Sequence, residues 1–239
     1  MKAIQFQDLG LMSYQQAWDY QEILFSQLVE RKTSTDIQKE QAFGGTFLFV
    51  EHPHVFTLGK SGHSNNLLVN EEYLHSKGAS FYQTNRGGDI TYHGPGQIVG
   101  YPILDLDFFQ IGVREYINRM EETVIRTLKL YGIHAGRLNG ATGVWLDADN
   151  VEKSRKICAI GVRTSRGVTM HGFAFNVNTD LSFYNLINPC GFTDRGVTSM
   201  KNELERKIDI AEVKSLLLKE FLALFEASVD KAIAFIPQT

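Results

Sequence analysis

The sequence feature that most restricts the fold is a β-hairpin pattern in the second half of the chain. Two apolar segments with strand character, Lys156 to Thr164 and Val168 to Asn178, are joined by the short glycine-containing link Ser165-Arg166-Gly167. A hairpin makes two strands antiparallel, and elsewhere strand and helix patterns alternate irregularly. We therefore predict an α+β fold with a mixed β-sheet rather than a regular βαβ array, formed by residues 1–239 as a single domain.

Local signals predict most other elements. A helix is predicted over Ser13 to Glu30, because Ser13 and Gln16 have capping-box spacing and apolar residues follow at helical intervals. The polar segment Lys32 to Gln41 predicts an exposed loop, and the apolar run Thr46 to Val50 predicts a buried strand. The remaining predictions are a short helix capped by Asn70 and ending at Gly78, strands over Ser80 to Thr84 and Gln97 to Leu106, a helix over Val113 to Tyr131 stopped by Gly132, and a last helix beginning at Asp209.

Composition and charge argue against several classes of protein. The first residues lack the apolar core of a signal peptide, and apolar runs elsewhere are too short to span a membrane, so we expect a soluble cytoplasmic protein that does not bind membranes. A net charge of -3 provides no basic field for phosphate, so nucleic acid is not an expected partner. Two cysteines, Cys158 and Cys190, cannot form a disulfide scaffold and are expected to be free thiols.

A glycine-dense segment is the strongest candidate for a ligand site. Arg86 to Gln97 contains four glycines in twelve positions and lies between two predicted strands. Glycines let a ligand approach the backbone, while arginine, threonine and histidine side chains offer a cation and hydrogen-bonding groups. A pair of β-turns with incidental polar residues is the alternative. Neither Gly94-Pro95-Gly96 nor Gly59-Lys60-Ser61 completes a nucleotide-binding motif, since the first precedes a strand and the second has His54 where glycine is required.

The sequence surroundings of the cysteines and histidines predict different roles for them. Cys158 lies in an apolar strand pattern and is predicted to be a buried structural residue. Cys190, between Pro189 and Gly191, is either an accessible reactive thiol or a chance cysteine in a turn. The spacing of His52 and His54 gives too few ligands for a metal site, and no metal is predicted. His171, among apolar strand residues, is predicted to be a hydrogen-bonded core histidine.

Taken together, the motifs resemble the lipoate-protein octanoyltransferase family over about residues 45 to 200. The segments that support the resemblance are His52 to Gly59, Arg86 to Gln97, Lys156 to Arg163, His171 to Asn178 and Asn188-Pro189-Cys190-Gly191. The resemblance implies the α+β fold of the biotin and lipoate protein ligase catalytic domains. It also implies transfer of octanoyl from octanoyl-acyl carrier protein to a lysine of a lipoyl domain, with no cofactor and no metal. The implied acceptors are the lipoyl domains of 2-oxoacid dehydrogenases and the glycine cleavage H protein.

The same resemblance implies roles for individual residues. Cys190 would be the acyl-accepting nucleophile and Lys156 its catalytic partner, and Lys156 is preferred to Lys153 because it directly precedes Ile157-Cys158. An ammonium near a thiol stabilises the thiolate that attacks a thioester. The implied acyl site is lined by Arg86, Gly87, Gly88, Asp89, Ile90, Thr91, Tyr92, His93, Ala159, Ile160, Gly161, Gly172, Phe173 and Ala174.

Two alternatives to acyl transfer remain open from the residues alone. An ATP-dependent lipoate or biotin ligase of the same fold would need no protein nucleophile, and a non-catalytic lipoyl-domain-binding protein would need neither Lys156 nor Cys190. The apolar residues Phe183, Tyr184, Leu186 and Phe192 suit either an acyl tunnel or ordinary core packing.

Overall fold

A computed structural model describes residues 2–33, 43–188 and 195–230 of the chain. The strands are β1 Lys2–Leu11, β2 Gly45–Glu51, β3 Val55–Leu58, β4 Ser80–Gln83, β5 Ile90–His93, β6 Gln97–Leu104, β7 Gly136–Leu138, β8 Ala141–Leu146, β9 Arg155–Ser165, β10 Val168–Asn176, β11 Gly196–Val197 and β12 Ala227–Val229. The helices are α1 Tyr14–Thr33, α2 Glu71–Ser76, α3 Leu106–Phe109, α4 Val113–Leu130, α5 Met200–Leu204 and α6 Ile210–Phe225.

The strands form one large mixed sheet and one small one. The large sheet has the order β12-β1-β2-β6-β10-β9-β8-β7, with β11 paired to β9, and the small sheet has the order β4-β3-β5. In the large sheet β1 is parallel to both neighbours, while β6 is antiparallel to β2 and β10. The predicted α+β fold with a mixed sheet is confirmed.

The large sheet is covered on both faces, as strand β2 illustrates. Its side chains alternate, so Phe47 and Phe49 pack in the core beneath α4 and α6, whereas Leu48 and Val50 pack in the core beneath α1. All four are fully buried. Burial of each of these side chains stabilises the fold by about 2 kcal/mol. A strand that lies between two helical layers is buried on both faces and therefore has a continuous apolar run.

The hairpin prediction is confirmed with a one-residue change. Ser165 pairs with Val168 and so belongs to β9, which leaves only Arg166 and Gly167 in the turn. Both turn residues have left-handed backbones, with φ of 52° and 75°, the conformation that a two-residue hairpin loop needs. Glycine adopts it without strain, and this explains its position in the link.

The helix predictions are largely confirmed by their caps. The Gln16 amide donates to Ser13 Oγ at 3.3 Å, and the Asn70 side chain accepts from the Tyr73 amide at 2.9 Å. The loop predicted over Lys32 to Gln41 is wrong for its first two residues, which complete α1, and its other residues lie outside the described ranges. Lys32 Nζ contacts carboxylates of Asp105 and Asp107 at 2.6 and 2.7 Å, and these ion pairs favour the last helical turn. No described helix is long and apolar enough to cross a membrane.

Candidate active site

A cavity of about 390 Å³ lies between the large and small sheets. The large sheet contributes the small residues Ala159 and Gly161 of β9 and Gly172 and Ala174 of β10. These residues leave space over the sheet, whereas the opposite wall comes from the loop that begins at Arg86. The result is a slot with mostly apolar walls, the kind of site that binds an apolar chain.

The structure brings most of the predicted site residues to this one cavity. Those that line it are Arg86, Gly88, Asp89, Ile90, Thr91, His93, Lys156, Ala159, Ile160, Gly161, Gly172, Phe173 and Ala174. Gly87 and Tyr92 are the exceptions. The Gly87 amide donates to Val162 O at 2.8 Å and so ties the loop to β9. Tyr92 does not line the cavity. Its ring stacks on the Phe183 ring with 4.9 Å between centroids, and its hydroxyl bonds to His54 Nδ1 at 2.6 Å. Cys190, Pro189, Gly191 and Phe192 lie outside the described residues.

Lys156 is positioned by the strands on both sides of it. In β9 it pairs with Trp145 of β8 and with Val197 of β11, and its Nζ lies 4.6 Å from the centroid of a Trp145 ring. The cavity is also lined by residues at the start of β8 and at β11, which are Gly140, Ala141, Thr142, Arg195, Gly196 and Val197. The rival candidate Lys153 is exposed and does not line the cavity. Lys156 and Arg195 are therefore the two cations that line the cavity beside Trp145.

The first part of strand β8 is held by a buried carboxylate. Glu121 of α4 accepts from the Gly143 amide at 2.9 Å and from Arg137 Nε at 2.9 Å. It is only 5% exposed, so the arginine partner offsets the cost of burying its charge. This contact anchors Gly143, and the three residues before it, 140–142, line the cavity.

A directional hydrogen-bond chain supports the opposite wall. Arg86 donates through Nη2 to Thr57 Oγ1 at 2.8 Å, and Thr57 Oγ1 in turn bonds to His93 Nε2 at 3.2 Å. His93 Nδ1 bonds to Gln97 Oε1 at 3.0 Å, while Gln97 Nε2 donates to Asn176 Oδ1 at 2.9 Å. Since the amide oxygen of Gln97 only accepts, Nδ1 of His93 must be the protonated nitrogen. Arg86 thus holds its own loop against β3 through hydrogen bonds, and its guanidinium is buried rather than exposed to a ligand.

The histidines of this region are held neutral. Burial, together with the proximity of His52 and the positive charge of Arg86, lowers the pKa of His93 well below its usual value. Burial also lowers the pKa of His52 to about 4. His52 Nε2 bonds to the Tyr101 hydroxyl at 2.8 Å and so supports a residue that lines the cavity. Among the described residues no group of three or more potential metal-ligating side chains occurs.

Two further predictions can be compared with the structure. Cys158 is fully buried in the core beneath α4 and α6, and burial raises its thiol pKa, so the predicted structural role is confirmed. His171 is 1% exposed and bonds through Nε2 to Asn85 Oδ1 at 2.6 Å, which confirms a hydrogen-bonded core histidine. His171 also lines the cavity, which no pattern in the sequence indicated.

Several lining residues were not singled out from the sequence. They are Tyr14, Ser61, Val99, Tyr101, Gly140, Ala141, Thr142, Trp145, Asn176, Arg195, Gly196 and Val197. Gly140 to Gly143 contains a detectable signal, because two glycines next to a strand pattern indicate close backbone packing. Tyr14 and Tyr101 have no such signal, since a tyrosine at the start of a helix or inside a strand is ordinary core material.

Comparison with known sequences places these features in a family. Residues 13–222 match the family model described as the lipoyl protein ligase A/B catalytic domain. A protein of Cytophaga hutchinsonii named octanoyltransferase is 52% identical over 232 residues, which cover 96% of this chain and 95% of the relative. An octanoyltransferase of Flavobacterium johnsoniae is 54% identical over 230 residues, covering 95% of this chain and 99% of the relative.

Solved structures of low sequence identity share the fold. A bipartite lipoate protein ligase of Thermoplasma acidophilum has a TM-score of 0.69 at 16% identity, with 96% of this chain and 86% of that chain covered. A lipoate-protein ligase A bound with ATP has a TM-score of 0.66 at 17% identity, with 97% and 90% covered. The predicted ligase-type fold is therefore confirmed, and at this identity the likeness concerns the fold alone.

Proposed function

This chain belongs to the lipoyl protein ligase A/B catalytic-domain family, and we propose that within the family it is an octanoyltransferase that acts in protein lipoylation. The proposal is supported by relatives named octanoyltransferase that are more than half identical over nearly the whole chain. The geometry agrees with acyl transfer, because the small residues Ala159, Gly161 and Ala174 line the same mostly apolar cavity as Lys156. An acyl chain in the slot would place its reactive carbonyl at the lysine end.

The position of Lys156 is the observation that most supports the proposed chemistry. In the first half-reaction, Lys156 would take the thiol proton of Cys190, and the thiolate would attack the thioester carbonyl of octanoyl-acyl carrier protein. A bond forms between sulfur and carbonyl carbon, the carbon–sulfur bond to the carrier breaks, and the carrier sulfur takes the proton from Lys156. The ammonium form of Lys156 also stabilises the negative charge that develops on the reacting groups.

In the second half-reaction the acceptor amine attacks the Cys190 thioester. An amide bond forms, the thioester bond breaks, and the amine loses a proton that Lys156 can accept and return to the cysteine sulfur. The reaction balances without ATP or a metal, because the thioester is already activated. Family membership supports lipoyl domains as acceptors. We propose the lipoyl domains of 2-oxoacid dehydrogenases and the glycine cleavage H protein as the specific ones, with residues 1–239 acting as one acyltransferase domain in the cytoplasm.

The competing function is ATP-dependent ligation of a free acid, which the shared fold allows. The test is an assay with a purified lipoyl domain, in which octanoyl carrier protein without ATP is compared with free octanoate plus ATP. The proposal predicts octanoylation of the lipoyl domain only from the carrier protein. Octanoylation from free octanoate and ATP, with none from the carrier thioester, would contradict it and support the ligase.

A further inference from the structure

A single carboxylate lines the cavity, whose other charged side chains are cations. Among the described residues that line it, Asp89 is the only acidic one, whereas the basic ones are Arg86, Lys156 and Arg195. An octanoyl chain is uncharged and offers this carboxylate no partner. The acceptor in the proposed reaction does offer one, because a lysine side chain carries an ammonium at neutral pH. The carboxylate therefore matches the second substrate rather than the first.

The Asp89 carboxylate is bound by two neutral donors. Its Oδ1 accepts from the Ile90 amide at 2.6 Å, and its Oδ2 accepts from Asn66 Nδ2 at 2.6 Å. Within the described part of the chain, no lysine or arginine is paired with it. A carboxylate has about four acceptor positions, so two bonds leave roughly half of them for a ligand. The residue is also partly exposed, in contrast to the buried Arg86.

Asn66 connects Asp89 to the chain that leads to the proposed nucleophile. Its side chain donates to the Asp89 carboxylate, and its backbone carbonyl accepts from the Asn188 amide at 2.8 Å. Asn188 precedes Cys190 by two positions in the sequence. An amine that attacks a thioester on Cys190 must therefore approach the part of the molecule in which Asp89 lies.

The loop after β3 holds Asp89 in place. A Cβ at Gly62 would lie 2.5 Å from Asp89 Oδ1, which shows how closely this loop packs against the carboxylate. The Ser61 amide donates to Gly88 O at 3.2 Å and so joins the two loops directly before Asp89. A carboxylate that is already held in position loses little conformational freedom when it binds a ligand.

We propose that Asp89 binds the acceptor lysine, with its carboxylate accepting hydrogen bonds from the lysine amine and holding that amine for attack on the acyl-enzyme. The inference rests on the proposed acyl transfer, because it assigns a residue to the second half-reaction. Positive charges on Lys156 and Arg195 repel an arriving ammonium, and the carboxylate offsets this repulsion. The ammonium must still lose a proton before it attacks, and a carboxylate accepts from the neutral amine as well. Asp89 thus contributes to binding and orientation rather than to bond exchange.

The test forms the octanoyl-enzyme first and then measures its deacylation by two nucleophiles, a lipoyl domain and hydroxylamine. The acceptor lysine is charged in neutral solution, whereas hydroxylamine is mostly uncharged. In Asp89→Asn, which keeps the side-chain shape, we expect deacylation by the lipoyl domain to slow by about tenfold or more relative to deacylation by hydroxylamine, the effect of a hydrogen bond to a charged group. The ratio of two rates within one protein is unaffected by a fall in the folded fraction. An equal loss with both nucleophiles would overturn the inference and leave Asp89 a purely structural residue.

Glu72→Gln is the matched control for charge. It removes one negative charge from an exposed position of α2 that does not line the cavity, so the ratio of the two rates should equal that of the natural protein. A ratio that falls as far in Glu72→Gln as in Asp89→Asn would contradict a local contact and would indicate a general effect of net charge.

A second readout needs no transfer. Calorimetry compares the affinity of the protein for a lipoyl domain and for the same domain with its acceptor lysine replaced by glutamine. The natural protein should bind the lysine form about tenfold more tightly, and Asp89→Asn should bind both forms alike. Equal affinities in the natural protein would overturn the inference. A lysine preference that depends on Asp89, in a protein that forms no octanoyl-enzyme, would contradict the proposed function and support the acceptor contact.

Discussion

Val197 pairs with Lys156 in the short parallel ladder between β11 and β9, and the Thr198 amide continues it by donating to Lys156 O at 2.9 Å. Gly196 pairs with Arg155 in the same ladder, so Arg195 lies close to the strand position of Lys156. Cys190 precedes Arg195 by only five positions in the sequence. This relationship supports the proposal that the two residues act together.

Replacing Lys156 should slow acyl transfer without unfolding the protein. Lys156→Ala removes the group proposed to move the proton in both half-reactions, and loss of such a group commonly lowers kcat by about 10²- to 10⁴-fold. Lys153→Ala is the matched control, because Lys153 is exposed and does not line the cavity. The rate of lipoyl-domain octanoylation is the measurement. Equal rates for the Lys156 variant and the control would remove Lys156 from the mechanism.

A methyl group at Gly161 should disturb the packing of the Arg86 loop against β9 and so change the shape of the cavity. A Cβ there would lie 2.7 Å from Gly87 O and 3.2 Å from Arg86 Nη1, so the loop must move away from β9. We expect Gly161→Ala to reduce kcat/KM for the octanoyl donor by about tenfold or more, because misplacement of site groups is costly. Gly136→Ala, at a β-strand glycine whose Cβ would meet nothing within 4 Å, should retain activity. Unchanged kinetics in Gly161→Ala would show that this contact does not shape the acyl site.

Thr57 should contribute measurably to stability through Arg86. Thr57 Oγ1 accepts from Arg86 Nη2 at 2.8 Å, and both residues are buried. Thr57→Val keeps the side-chain shape but removes the acceptor, and we expect the free energy of unfolding to fall by about 1.5–3 kcal/mol, the usual range for a hydrogen bond to a charged group. Urea unfolding measures it. Thr164→Val, at an exposed position of β9, is the control and should change stability by less than about 0.5 kcal/mol.

Because His52 is buried and neutral, we expect the free energy of unfolding to decrease in acid. His52 has a pKa of about 4 in the folded protein because of burial, against an ordinary value of 6.5. Between these two values the unfolded chain binds more protons than the folded one, so stability rises with pH and is lost as pH falls from 6.5 towards 4. The contribution of His52 to that loss is on the order of 3 kcal/mol.

Unfolding free energies measured from pH 7 to pH 4 check this dependence. The variant His52→Gln should be less stable at pH 7 but should lose less stability on acidification than the natural protein. His75→Gln, which replaces an exposed histidine of α2, should follow the natural protein. A natural protein whose stability is constant down to pH 4 would contradict the neutral, buried assignment.

The features that the sequence predicted are those with local causes. Asn70 caps α2 and Gly167 closes the hairpin because the bonds and torsions involved span only a few residues. The cavity is also lined by Tyr14, at the start of α1, and by Tyr101 of β6. Tyr101 lies at the cavity because β6 is between β2 and β10 in the sheet. That non-sequential strand order is a property of the whole sheet, so no local pattern predicts it.

His171 illustrates a second reason for incomplete prediction. Strict alternation along β10 would place its side chain on the face of Phe175, which packs in the core beneath α4 and α6. The left-handed backbone at His171, with φ of 59°, accompanies a side chain that lines the cavity instead. A single departure from regular strand geometry thus accompanies the position of the buried His171 side chain at the cavity.

The most direct test of the proposed mechanism is the intact mass of the protein after it is mixed with octanoyl carrier protein, compared with Cys190→Ser. The mechanism predicts a single added octanoyl group on the natural protein, absent from Cys190→Ser and removed when a lipoyl domain is added. No adduct on the natural protein, or an adduct that forms equally on Cys190→Ser, would contradict a cysteine-bound intermediate.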